Sequence, residues 1–139
     1  ITASAPALGK TVALADTDYG RRAAATKRSE FMRNGLEKLE QKDYKEKLEA
    51  GVRPQFIFFT AEWSEPCRQM QSVVEQLALE YYDAADFYLA DLDDQPLIAA
   101  DFKIANVPAL SACQRGRELE RVVGVRAYPE LKKDLAKYI

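Results

Sequence analysis

Gln55-Phe56-Ile57-Phe58-Phe59-Thr60-Ala61-Glu62-Trp63-Ser64-Glu65-Pro66-Cys67 changes its pattern halfway along. Gln55 to Ala61 is a short aromatic and β-branched run, apolar on both faces, as expected of a central strand covered on both sides. From Ser64 to Tyr82 the apolar residues Met70, Val73, Val74, Leu77 and Tyr81 recur at helical spacing. Ser64 stands where a cap belongs, and Pro66 falls in the first turn, where a missing N–H costs little. The stretch therefore reads as a buried strand running through a tight junction into an amphipathic helix.

Downstream, Phe87 to Leu92 reads as a second buried strand and Gln95 to Phe102 as a short helix. Pro108 to Cys113 and Glu118 to Val123 read as strands joined by a turn at Gln114-Arg115-Gly116. Tyr128 to Tyr138 reads as a closing helix, with Leu131, Leu135 and Tyr138 inward. The order strand, helix, strand, helix, strand, strand, helix is an α/β order. Upstream, Phe31, Leu36, Leu39, Tyr44 and Leu48 recur at helical steps, predicting an extended first helix over about 28–50 with Gly51 as its terminator. The division expected is an arm at 1–27, flexible or docking, and one domain at 28–139. Thr11 to Ala15 is a candidate edge strand.

Composition narrows the chemistry. The 139 residues include no histidine, which excludes Ser-His and Cys-His nucleophile pairs and histidine metal sites. Two cysteines without histidine cannot build a four-ligand structural zinc site. The net charge of −2 argues against nucleic acid as the main partner, and no apolar run is long enough for a membrane span. The chain opens on Ile, and residues 1–28 are rich in Ala, Thr and basic residues. That composition resembles the neighbourhood of a transit-peptide cleavage site and suggests an organelle, plastid or mitochondrion; the alternative is a plain terminal arm.

The order of elements and the residues at their joints resemble the thioredoxin family, over about Asp43 to Ile139. The resemblance rests on Phe59 to Cys67, on Asp91-Leu92-Asp93-Asp94-Gln95-Pro96 after the next strand, on Asn106-Val107-Pro108-Ala109-Leu110, on Gly116 and on Gly124. It implies a mixed sheet flanked by helices, four core strands and a candidate fifth, with an N-terminal helical extension. It also implies a cis bond before Pro108 and a peptide groove at Val107 and Pro108.

The same resemblance shows departures. Trp-Cys-x-x-Cys is here Trp63-Ser64-Glu65-Pro66-Cys67, so the thiol that would attack a disulfide is an alcohol, with no histidine to deprotonate it. The buried Asp that serves the second cysteine is matched by Phe58, and the neighbouring Lys by Leu89. The expectation is a non-catalytic subunit or adaptor that binds a protein partner or larger assembly and needs no cofactor. The alternative is a monothiol protein forming mixed disulfides, with glutathione or a partner, through Cys67. Ser64 as a hydroxyl donor to a bound thiolate is a third and lesser reading. Trp63 reads either as packing beside the helix start or as meeting a partner peptide. Cys113 reads as core, about 16 Å of strand from Pro108 at roughly 3.3 Å per residue, beyond disulfide reach of Cys67. The acidic run Asp83, Asp86, Asp91, Asp93 and Asp94 reads as solvated surface, not as a metal site.

Overall fold

The structure is a computed structural model that describes residues 35–139. Its elements are β1 (Glu37–Lys38), α1 (Tyr44–Ala50), β2 (Gln55–Thr60), α2 (Glu65–Glu80), β3 (Asp86–Asp91), α3 (Pro96–Asp101), β4 (Ala109–Gln114), β5 (Arg117–Val123) and α4 (Tyr128–Ala136). The five strands form one mixed sheet in the order β1-β3-β2-β4-β5. β1, β3 and β2 run parallel, and β4 is antiparallel to both β2 and β5.

The continuous apolar run places β2 at the centre, where all six residues are buried. Its two faces fill two cores. Phe56 and Phe58 meet Met70, Val74 and Leu77 of α2 and Leu131 and Leu135 of α4. Ile57 and Phe59 meet Tyr44 and Leu48 of α1 and Ile98 of α3. A parallel βαβ connection has to cover the sheet this way, because each helix buries only one stripe.

The first helix departs from expectation. Over the described residues it is helical only from Tyr44 to Ala50, and Glu37–Lys38 form the edge strand instead. Leu36 and Leu39 are buried, but one belongs to the core under α2 and the other to the core under α1. Their spacing mimicked a helical stripe, whereas they enter the two cores on opposite sides of the sheet. The fifth strand is thus β1. The candidate strand Thr11 to Ala15, the arm 1–27 and the Phe31 end of the helix lie outside the described residues.

Gln55 is a polar residue of the core, with no exposure. Its Nε2 donates to the Leu48 carbonyl at 2.8 Å and its Oε1 accepts from Gly116 N–H at 2.9 Å. One side chain thereby ties the end of α1 to the β4–β5 turn. Gln55→Leu keeps the bulk but strands the Gly116 N–H and leaves the Leu48 carbonyl only its bond from Gly51 N–H, so it should cost about 1–3 kcal/mol, the penalty of one unsatisfied group. Urea unfolding should show a lower midpoint with an unchanged slope; an unchanged midpoint would refute this tie.

Candidate functional site

β2 ends at Thr60, and Ala61 to Trp63 make the turn into α2, with Ser64 N–H donating to the Ala61 carbonyl at 3.1 Å. Ser64 has an extended backbone, and its Oγ accepts from Cys67 N–H at 3.3 Å, as a helix cap does. Glu65 and Pro66 fill the first turn of α2. The position of a nucleophile is thus held by a capping hydroxyl, itself buried to 7% exposure.

Cys67 is fully buried and Trp63 is 70% exposed. The reading of Trp63 as packed beside the helix start is therefore corrected: its ring stands in solvent, because the tight turn directs it away from both cores. Arg68 fixes that turn. Its Nη1 donates to the Glu62 carbonyl at 2.6 Å, and its Nη2 meets Glu65 Oε1 at 2.5 Å. The Glu65 to Arg68 spacing of three along a helix is the sequence signal that could have revealed this clamp.

Register brings the second half of the site to the motif. Phe59 pairs with Ala109, so Pro108 falls level with Thr60 at the root of the turn. The Val107–Pro108 bond is cis. Gly124 N–H donates to the Pro108 carbonyl at 2.9 Å, at a backbone φ of +93° that favours glycine. This contact lays the segment after β5 beside Pro108, and Val123 and Val125 are exposed there. Trp63, half-buried Val107, Val123 and Val125 therefore stand as apolar groups around the same end of the sheet. The two valines went unremarked as site residues in the sequence, because nothing local marks them as part of a site.

Beneath the motif lies no titratable pair. Phe58 is fully buried and in register with Leu89 on one side and Leu110 on the other. The two positions where the family places an acid and a base are thus neighbours in space, and both are hydrocarbon. The opposite end of β4 holds the second thiol. Cys113 pairs with Gln55, at the far end of β2 from the motif, and both cysteines are free. Burial is the main cause that pushes the Cys113 thiol up to about 11; Ser111 Oγ, 3.4 Å away, opposes it. Of the acidic run, Asp86 is paired with Arg53 at 2.6 Å, and Asp91 Oδ1 accepts from the backbone of Asp93 and Asp94. Among the described residues no cluster of His, Cys, Asp and Glu is arranged to hold a metal, and no helix is long and apolar enough to cross a membrane.

This fold agrees with the comparisons. The thioredoxin family model matches residues 35–137, and the chain belongs to the thioredoxin family. It is similar to the thioredoxin of Staphylococcus aureus, 32% identical over 102 residues that span 73% of this chain and 96% of the relative. Among solved structures it resembles a thioredoxin of Malassezia sympodialis, with a TM-score of 0.67 and 24% identity over 74% of this chain and 90% of that one. It also resembles a chain from a yeast structure concerned with the thiol resolving mechanism of a mitochondrial 1-Cys peroxiredoxin via glutathione and thioredoxin systems. There the TM-score is 0.65 and the identity 21%, over 73% and 94% of the two chains.

Proposed function

We propose that this chain is a thioredoxin-family binding module that has lost dithiol chemistry and serves as a non-catalytic subunit or adaptor for a protein partner. The observation that carries the reading is Ser64, a buried capping hydroxyl at the position of the attacking thiol. Support comes from Cys67, which has no exposed surface, and from the apolar Phe58 and Leu89 beneath it. Binding outlives the chemistry, because docking an extended peptide beside Pro108 uses backbone and apolar surface rather than a thiol. Trp63, exposed on the turn whose Glu62 carbonyl Arg68 holds, is the natural anchor, as tryptophans are at interfaces.

The alternative, mixed-disulfide formation through Cys67, requires that thiol to reach solvent first. Affinity capture of the full chain from the cells that make it, with thiols alkylated at lysis, separates the two. On the adaptor reading the partners stay bound in dithiothreitol and with Cys67→Ser, and Trp63→Ala weakens them at least about tenfold, as loss of a hot-spot residue does. Partners released by dithiothreitol and lost with Cys67→Ser would establish the monothiol reading instead.

A further inference from the structure

A cleft of about 480 Å³ opens at the carboxyl ends of β1, β2 and β3. Small-molecule sites usually fall between about 300 and 1,000 Å³. There β2 leads to α2 on one face of the sheet and β3 to α3 on the other, and such divergence leaves a crevice. Register decides which strand residues enter it. Phe58 and Lys38 both pair with Leu89, and Thr60 pairs with Asp91. Phe58 belongs to the core under α2, and paired residues and those two apart along a strand share a face. Lys38, Thr60, Leu89 and Asp91 therefore stand together on the α2 face, and all four line the cleft. Arg68 and Gln71 of α2 form its wall, and Glu62, Asp94 and Gln95 close it from the turns after β2 and β3.

Much of this lining is already engaged. The Arg68 guanidinium holds Glu65 and the Glu62 carbonyl. Asp91 Oδ1 accepts from the N–H groups of Asp93 and Asp94. Gln71 donates to Glu75, and Gln95 accepts from Gln41 N–H. Among the described residues, the Lys38 ammonium, the Thr60 hydroxyl and the carboxylates of Glu62 and Asp94 make no hydrogen bond or ion pair. Thr60 points to a ligand most directly. It is only 6% exposed, and it lines the cleft. A buried hydroxyl without a protein partner is uncommon, and leaving its bond unmade costs free energy that a ligand can recover.

These four groups are laid out along the cleft. Lys38 stands at the β1 edge, beside the hydrocarbon of Leu89. From Lys38 to Asp91 is two residues along and one strand across, roughly 8 Å between Cα atoms. Thr60 shares that second row with Asp91, and Glu62 and Asp94 follow in the turns. A cation thus stands at one end and two carboxylates at the other, with a hydroxyl between.

We propose that this cleft binds a free dipeptide. Its carboxylate meets Lys38, its ammonium meets Glu62 and Asp94, its peptide group pairs with the Thr60 hydroxyl, and a side chain lies on Leu89. The charged ends of a dipeptide are roughly 7 Å apart, at about 3.3–3.6 Å per residue, whereas those of a single amino acid are too close together to reach both groups. The site is a property of the cleft and stands whether or not Trp63 meets a partner.

The test is titration of the full chain with glycyl-leucine, followed by amide proton–nitrogen correlation spectra. Saturable shifts should appear at Lys38, Thr60, Glu62, Leu89 and Asp94. N-acetyl-glycyl-leucine and glycyl-leucinamide, each lacking one charge, should bind at least about tenfold more weakly, as loss of a charge-assisted hydrogen bond implies. Lys38→Gln should weaken glycyl-leucine to a similar degree, and Thr60→Val, which keeps the shape and removes the hydroxyl, about fivefold. Absence of saturable shifts overturns the proposal, and so do shifts that fall outside the cleft. Equal binding of either blocked form also overturns it, by reducing the site to one charge, as does unchanged affinity in Lys38→Gln or Thr60→Val.

Discussion

Dithiothreitol-driven insulin reduction by the full chain should remain at the uncatalysed background. Disulfide exchange starts with a thiolate attacking sulfur, and the reactivity of that step follows thiolate character. At position 64 the atom is a hydroxyl oxygen, accepting a hydrogen bond from the helix backbone, and the chain has no histidine to deprotonate it. Cys67 has no exposed surface from which to attack. Ser64→Cys restores the dithiol spacing but not the proton-transfer group, since Phe58 and Leu89 occupy those positions. General acid–base groups contribute typically about 10²–10⁴-fold, so Ser64→Cys should turn over at least about 100-fold more slowly than a Cys-x-x-Cys thioredoxin. Wild-type turnover comparable to such a thioredoxin would defeat the non-catalytic reading. A fully active Ser64→Cys would show that the apolar floor is irrelevant to the lost chemistry.

Phe58→Asp, which reinstates the family's acid, should nearly abolish stability at neutral pH. Phe58 is in the central strand with no exposure, among Met70, Val74 and Leu110. Truncating such a ring costs about 3–5 kcal/mol, and an unpaired buried charge adds about 3–5 kcal/mol. The sum rivals the whole stability of a typical domain, about 5–15 kcal/mol. Leu89 supplies no cation to offset it. The pH dependence follows from the same burial. Apolar surroundings raise the folded-state pKa of the new carboxyl above its unfolded value of about 3.9. Its penalty is therefore smallest below about pH 4 and grows as pH rises through the folded-state pKa, by up to about 1.4 kcal/mol per unit. Melting of wild type and variant side by side at pH 4 and pH 7 should show the gap between them widening with pH. A gap independent of pH would mean that residue 58 reaches water. The wild-type side chain makes the opposite choice: where the family's acid would serve the second thiol, here Cys67, phenylalanine contributes packing instead.

Much of this was legible along the chain, for physical reasons. Residues 56–59 are apolar on both faces, as a doubly covered strand requires, so the centre of the sheet was readable from the sequence. Ser64 ahead of an amphipathic run with Pro66 in its first turn specified a cap, because the relevant hydrogen bond spans only three residues. The loss of the attacking thiol and the absence of histidine needed no coordinates at all.

What tertiary structure decided were the contacts between residues far apart in sequence. Leu36 and Leu39 looked like one helical stripe, but pairing with β3 drew Glu37 and Lys38 into an edge strand and sent those leucines to different cores. Trp63 carries no local mark that distinguishes a packed ring from an exposed one. Its exposure follows from a tight turn that Arg68 pins and that neither core reaches. Val123 and Val125 joined the motif only because Gly124 bonds to Pro108 across the end of the sheet. Sequence period reports which face of an element is apolar; which neighbour that face meets is set by strand order and register, and these are long-range choices of the folded chain.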